Sequence, residues 1–309
     1  DCLECLTTSR DIRKNSYFTK FSMTSAATAY AANIAARILV ENPEMNPETI
    51  RALMVHSAEW TDAMKRQVYE TENIESLKKN DLRKLFRIVG YGVPDLDKAL
   101  YTYRNSVNFV IEDEMQPFIK GKTGEPKLNE MNYYKIPWPE EVLITLGNVP
   151  VKLKVTLSYF VDPAPGEIGW EDKYRYPGCR LYFDINNIGE DEENFIKRIN
   201  YNAREEDYNK NANHSNNDKW FFGVNNRNVG SIHSDIWYDT AANLADNRYL
   251  AVFPGVGWWK SRAYLKKYNS KIRYSLIMSI STPEQDVDLY TPIMNKINVK
   301  TPIKTEIDY

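Results

Sequence analysis

The spacing of hydrophobic and polar positions changes near Asn105. Before it, apolar residues recur at helical spacing; after it they alternate with polar ones. Residues 21–39, FSMTSAATAYAANIAARIL, start with small hydroxylated residues and run into Ala, Ile and Leu. Ser and Thr favour a helix start, because their oxygens accept from the unpaired first N–H groups, and Ala propagates the helix cheaply. The pattern predicts a helix over 25–41, with so few polar positions that it should be buried. Asn42-Pro43 should stop it, since the residue before Pro avoids the helical region. Asn46 should cap a second helix opened by Pro47; Ile50, Leu53, Met54 and Ser57 follow the i, i+3, i+4, i+7 spacing of an amphipathic helix. Residues 1–24 predict strand, polar loop (11–16), strand. Charged residues 62–87, with Ile74, Leu77, Leu82, Leu85 and Phe86 at helical spacing, predict surface helices. Asp95 should cap a short last helix ending near Tyr101.

Beyond Asn105 the alternation predicts strands. Val107, Phe109 and Ile111 begin it. Val151, Leu153, Val155, Leu157 and Tyr159 point one way, opposite Lys152, Lys154, Thr156 and Ser158. Ile272, Tyr274, Leu276, Met278 and Ile280 repeat the pattern, and 141–146, 180–185 and 249–253 are further candidates. Several strands with one polar face predict an antiparallel β-sandwich, jelly-roll-like in layout. Residues 186–219 are rich in Asn, Asp, Glu and Lys and read as a long mobile loop. The expected fold is thus α+β in two domains, 1–105 and 106–309, which suits 309 residues.

Composition narrows the function. A net charge of −2 gives no electrostatic footprint for nucleic acid or an anionic membrane. No apolar run is long enough to span a bilayer. Three cysteines cannot build a disulfide framework, and their low number suggests a reducing, cytoplasmic setting. Cys2-x-x-Cys5 lacks a second pair or a nearby His and reads as two incidental thiols. His56 reads as packed near a helix end, and His214 as solvent-facing. His233, close to Asp235 and Asp239, makes too common a grouping to define a metal site. Asp162, Glu167, Glu171 and Asp172 offer oxygen ligands suited to calcium, but without fixed spacing they read as a solvated acidic loop, and no cofactor is expected. Trp258-Trp259 reads as packing rather than as a binding surface.

Met23-Thr24-Ser25-Ala26-Ala27-Thr28-Ala29 resembles the G-T-S-x-A-T-P signature around the nucleophile of subtilisin-like serine peptidases. Asn42-Pro43 falls where that family has its residue-Pro pair. Residues 46–53 are similar to its second helix, Ser57-Ala58 to its Thr-Ala ending, and Gly90-Tyr91-Gly92-Val93-Pro94-Asp95-Leu96 to its closing strand. Leu6-Thr7-Thr8-Ser9 and Tyr17 resemble what precedes the serine loop. The pieces cover about the first hundred residues, in order. A register with Ser22 as nucleophile would displace the later pieces, so Ser25 is preferred.

The resemblance implies that Ser25 attacks the scissile carbonyl, with its own N–H in the oxyanion hole. In the family's order, Asp, His and the oxyanion Asn come before Ser. All three would precede residue 1, so the chain is expected to begin inside a longer peptidase domain and to be inactive alone. Its expected partners are a polypeptide substrate and either the missing N-terminal half or a second copy covering the central helix. Met23 stands where the family has Gly, and Ala29 where it has Pro. The first departure, with the absent catalytic partners, motivates the alternative of a catalytically inactive subtilase-like protein acting as a binding module through its β-sandwich.

Overall fold

The computed structural model describes all residues except 1–4, 10–16, 69–77, 105–107, 137, 139, 166–175, 205–217, 283–302 and 308–309. His214, Glu167, Glu171, Asp172, Cys2 and the polar middle of the 186–219 stretch therefore lie outside the described residues.

The chain is mixed, with helices gathered first and antiparallel sheets after them. Strands β1 (Cys5–Thr8) and β2 (Phe18–Phe21) pair antiparallel and lead into α1 (Thr24–Glu41). α1 ends at Glu41, before Asn42-Pro43, as the proline requires. Helix α2 (Pro47–Ser57) opens on its proline, although the Asn46 side chain makes no capping bond. Helices α3 (Asp62–Val68), α4 (Lys79–Val89) and α5 (Leu96–Arg104) follow. Asp95 Oδ1 accepts from the Lys98 N–H at 2.9 Å and caps α5. The expected closing strand is reduced to one bridge, between Glu59 and Val93.

Two four-stranded antiparallel sheets make up the rest. One has the order β3 (Asn108–Met115), β11 (Ile272–Ser281), β7 (Pro150–Tyr159), β9 (Ile232–Thr240). The other runs β12 (Ile303–Glu306), β6 (Glu130–Lys135), β10 (Tyr249–Gly255), β8 (Arg180–Ile185). A small hairpin pairs β4 (Phe118–Lys120) with β5 (Pro126–Leu128). The alternate residues Val151, Leu153, Val155 and Leu157 of β7 join Leu276 and Met278 of β11, Phe183 of β8 and Val252 of β10 in one buried cluster.

Three expectations are corrected. Residues 141–146 were expected as a strand but form helix α6 (Glu140–Leu146), in which Leu143 is fully buried and Val142 and Leu146 pack against the core. The β-branched residues suggest a strand, but the i, i+3, i+4 face decides, with Glu140 and Glu141 at the positive helix end. Part of the expected 186–219 loop is helix α7 (Glu192–Arg204), which buries Phe195, Ile199 and Ala203 on one face. The Asn194 N–H donates to Asp191 Oδ1 at 2.8 Å at its start.

The third correction concerns α1. It buries only Ala26, Ile34 and Ile38, leaving Tyr30 and Val40 60% and 77% exposed. An Ala-rich helix is apolar all round, yet only one narrow face meets other described residues. Ile34 and Ile38 join Ala52 and Leu53 of α2, Ala99 of α5 and Ile277 of β11 in a second core. Each such buried aliphatic side chain contributes about 1.5–3 kcal/mol.

Ile277 lies on the opposite face of β11 from Leu276 and Met278, so the sheet β3-β11-β7-β9 is covered on both faces. The face read as polar is therefore the seat of α2. Arg51 Nη2 donates to the Tyr159 carbonyl at 2.8 Å and Arg51 Nε to Ser158 Oγ at 3.0 Å. His56 places Nδ1 2.9 Å from Thr156 Oγ1 and Nε2 2.8 Å from Ser279 Oγ. Lys154 Nζ donates to the carbonyls of His56, at 2.6 Å, and Ala58, at 3.2 Å, satisfying acceptors at the end of α2.

Candidate active site

Ser25 is the second residue of α1, and it is exposed. The Met23 carbonyl accepts from the N–H groups of Ala26 and Ala27, both at 3.1 Å, and so starts the helix. The N–H groups of Thr24 and Ser25 precede any intrahelical partner. Thr28 Oγ1 donates back to the Thr24 carbonyl at 2.8 Å, so this hydroxyl is absorbed by the helix. Among the described residues, the Ser25 hydroxyl makes no hydrogen bond.

Met23 holds φ 132° and ψ 169°. That region is populated essentially by glycine and costs another residue about 1–3 kcal/mol. Met23 thus adopts a backbone conformation that suits glycine. The turn out of β2 has a glycine-type conformation, and the Met side chain stands 76% exposed two residues before Ser25.

Neither described histidine is placed to serve Ser25. His56 is buried between Thr156 and Ser279, and burial, reinforced by Lys154, holds its pKa well below the usual value. Burial pushes Lys154 itself down to about 8. His233 packs edge-on to Tyr159 and stacks on Tyr182, and burial takes it down to about 3. Asp235, near it in sequence, instead accepts from the Phe222 and Gly223 N–H groups at 2.8 and 3.0 Å.

Asp162, the one described member of the suggested calcium cluster, is used by the indoles. Its carbonyl accepts from Trp258 Nε1 at 2.9 Å and its carboxylate from Trp259 Nε1 at 3.0 Å. Both tryptophans are buried. An open groove of about 610 Å3 runs beside α1 between Tyr30, Arg37, Trp60 and Asp97, and does not include Ser25.

The polar joint at Arg51, His56 and Lys154 was not anticipated. The signal for it was Thr156 and Ser158 on the polar face of β7, beside Lys152 and Lys154. Short hydroxyl side chains in mid-strand suit a covered polar face better than a solvated one.

Comparison with known proteins agrees with the amino-terminal reading. Residues 2–92 match the subtilase family, Peptidase_S8, so this region of the chain is subtilase-like. An uncharacterized protein, y4bN, of Sinorhizobium fredii (strain NBRC 101917 / NGR234) is 28% identical over 145 residues, which cover 47% of this chain and 28% of that protein. The match therefore spans little more than a quarter of that relative's length. No solved structure matches the chain at a significant level.

Proposed function

We propose that this chain is the nucleophile-bearing part of a subtilisin-like serine endopeptidase. The observation that carries this reading is the junction of β2 and α1. A glycine-type backbone at Met23 delivers an exposed, unengaged Ser25 hydroxyl to the first turn of a helix, within the segment that matches the subtilase family. In this reading Ser25 Oγ attacks the peptide carbonyl and forms an acyl-enzyme while the leaving amine departs. The Ser25 N–H, aided by the positive helix end, faces the developing oxyanion. The base, its orienting carboxylate and the oxyanion amide come from a polypeptide segment outside these 309 residues.

The apolar side chains left open support such a partner. Leu6, Tyr17, Phe18, Met23, Tyr30 and Val40 are exposed on the β1–β2 hairpin and α1. So many large apolar side chains left exposed on neighbouring elements fit an interaction surface, here for the rest of the peptidase domain or a second copy. We read residues 106–309 as a jelly-roll-like β-sandwich built from the two four-stranded sheets, following the subtilase-like part.

The second reading, an inactive interaction protein, rests on the Met23 side chain, which occupies space beside Ser25 that the family leaves open. Peptide turnover separates the two. The chain alone is expected to hydrolyse no peptide. Supplied with the complementary segment it should turn over peptide, and Ser25→Ala should cut kcat by at least about 10^3-fold. A reconstituted protein without turnover, or with turnover indifferent to Ser25→Ala, overturns the peptidase reading.

A further inference from the structure

The joint between α2 and the sheet sets a buried histidine beside a partly buried lysine. His56 is 5% exposed and both ring nitrogens are held by hydroxyls, of Thr156 on β7 and Ser279 on β11. Lys154, also on β7, reaches past it to the carbonyls of His56 and Ala58. The groups facing this pair are few. Glu59 and Lys98, paired at 2.6 Å on the surface, act on Lys154 from its outer side. Earlier on α2, Arg51 is committed to Ser158 and the Tyr159 carbonyl, and buried Glu48 lies 3.4 Å from Arg273. Lys152 lies over the Tyr238 ring at 5.1 Å. The Tyr91 phenol donates to the Ile232 carbonyl at 3.1 Å. Lys154 is the charge that acts on His56, and it repels a proton there.

We propose that this joint is an acid-opened latch, in which a proton taken up from solvent by His56 releases α2, and with it the Ser25 helix, from the sheet β3-β11-β7-β9. The chemistry is electrostatic. Neutral His56 fits between two hydroxyls, each able to donate or accept. An imidazolium there is buried and close to an ammonium, where desolvation and like charge both oppose it. Opening hydrates both cations. Because α1 rests on Ala52 and Leu53 of α2, release of α2 also removes the support of Ile34 and Ile38. The device is independent of whether Ser25 reacts.

Hydrogen exchange of the whole chain, measured against pH and corrected for intrinsic rates, tests the latch. Opening of α2 should rise about tenfold per pH unit below about 6.5, down to the depressed pKa of the buried ring, while core amides of β7 and β11 stay protected. His56→Gln keeps an amide in reach of both hydroxyls without a titrating proton, and should abolish that slope. In the unmodified chain, NMR titration of the His56 ring should show proton uptake over the range in which α2 loses protection. A ring that titrates with α2 still protected, an equal slope in His56→Gln, or α2 and the sheet always opening together would each overturn the proposal.

Discussion

Replacing Met23 by Gly should stabilise the chain. Met23 sits at φ 132° and ψ 169°, and its side chain is 76% exposed, so little packing is lost on truncation. Relief of the backbone strain is worth about 1–3 kcal/mol. The extra freedom of Gly in the unfolded chain returns about 0.4–1 kcal/mol. The net expectation is a gain of about 0.5–2 kcal/mol, or roughly two- to thirtyfold in the opening equilibrium of the β2–α1 junction. Met23→Ala is the control: it removes the same exposed side chain but keeps the strain, and should lie within about 0.5 kcal/mol of the parent. Urea unfolding combined with hydrogen exchange of α1 reads both the global and the local effect. If the Gly variant is no more stable than the Ala variant, the glycine-type conformation at Met23 is refuted. The conformational argument for the serine loop then fails with it.

Gly92 has φ +103°, and an added Cβ would lie 2.2 Å from the Glu59 carbonyl oxygen, so Gly92→Ala should cost more than about 3 kcal/mol in thermal or urea unfolding. Ile38→Ala, in the core between α1 and α2, should cost about 2–5 kcal/mol, whereas Val40→Ser on the open face of the same helix should cost no more than about 0.5 kcal/mol. His233, depressed to about 3 in the fold, contributes stability that is complete above its unfolded value and is lost as pH falls from about 6.5 toward about 3. In urea unfolding His233 should contribute a loss of about 1.4 kcal/mol per pH unit through that window, and His233→Phe should remove that share of the slope while the share from buried His56 remains. Lys154, pushed down to about 8, should make stability rise between pH of about 8 and about 10.5, an increment absent in Lys154→Met.

Much of the amino-terminal part was legible because its punctuation is local. Asn42-Pro43 ends α1, Pro47 opens α2 and Asp95 caps α5, each through backbone chemistry that needs no tertiary context. The long alternating runs of β7 and β11 were equally plain. Residues 141–146 were misread because Val142, Ile144 and Thr145 favour strands, and only the packing of Leu143 and Leu146 selects the helix. The exposure of α1 was hidden for another reason. Its composition records a need for cover, but sequence pattern does not say whether the cover belongs to the same 309 residues. At the candidate site, Ser25 was legible through the motif around it, and the conformation of Met23 only through coordinates. The Arg51, His56 and Lys154 joint was missed because alternation identifies a polar face without saying what lies against it.

The central claim is that Ser25 is the nucleophile of a site completed by a second segment. The most direct measurement is labelling by a fluorophosphonate, with the adduct located by mass spectrometry, in the chain joined to that segment. Modification is expected at Ser25, with loss of labelling in Ser25→Ala and none in these 309 residues alone. An adduct at Ser22 or elsewhere, or no adduct in the completed protein, would contradict it.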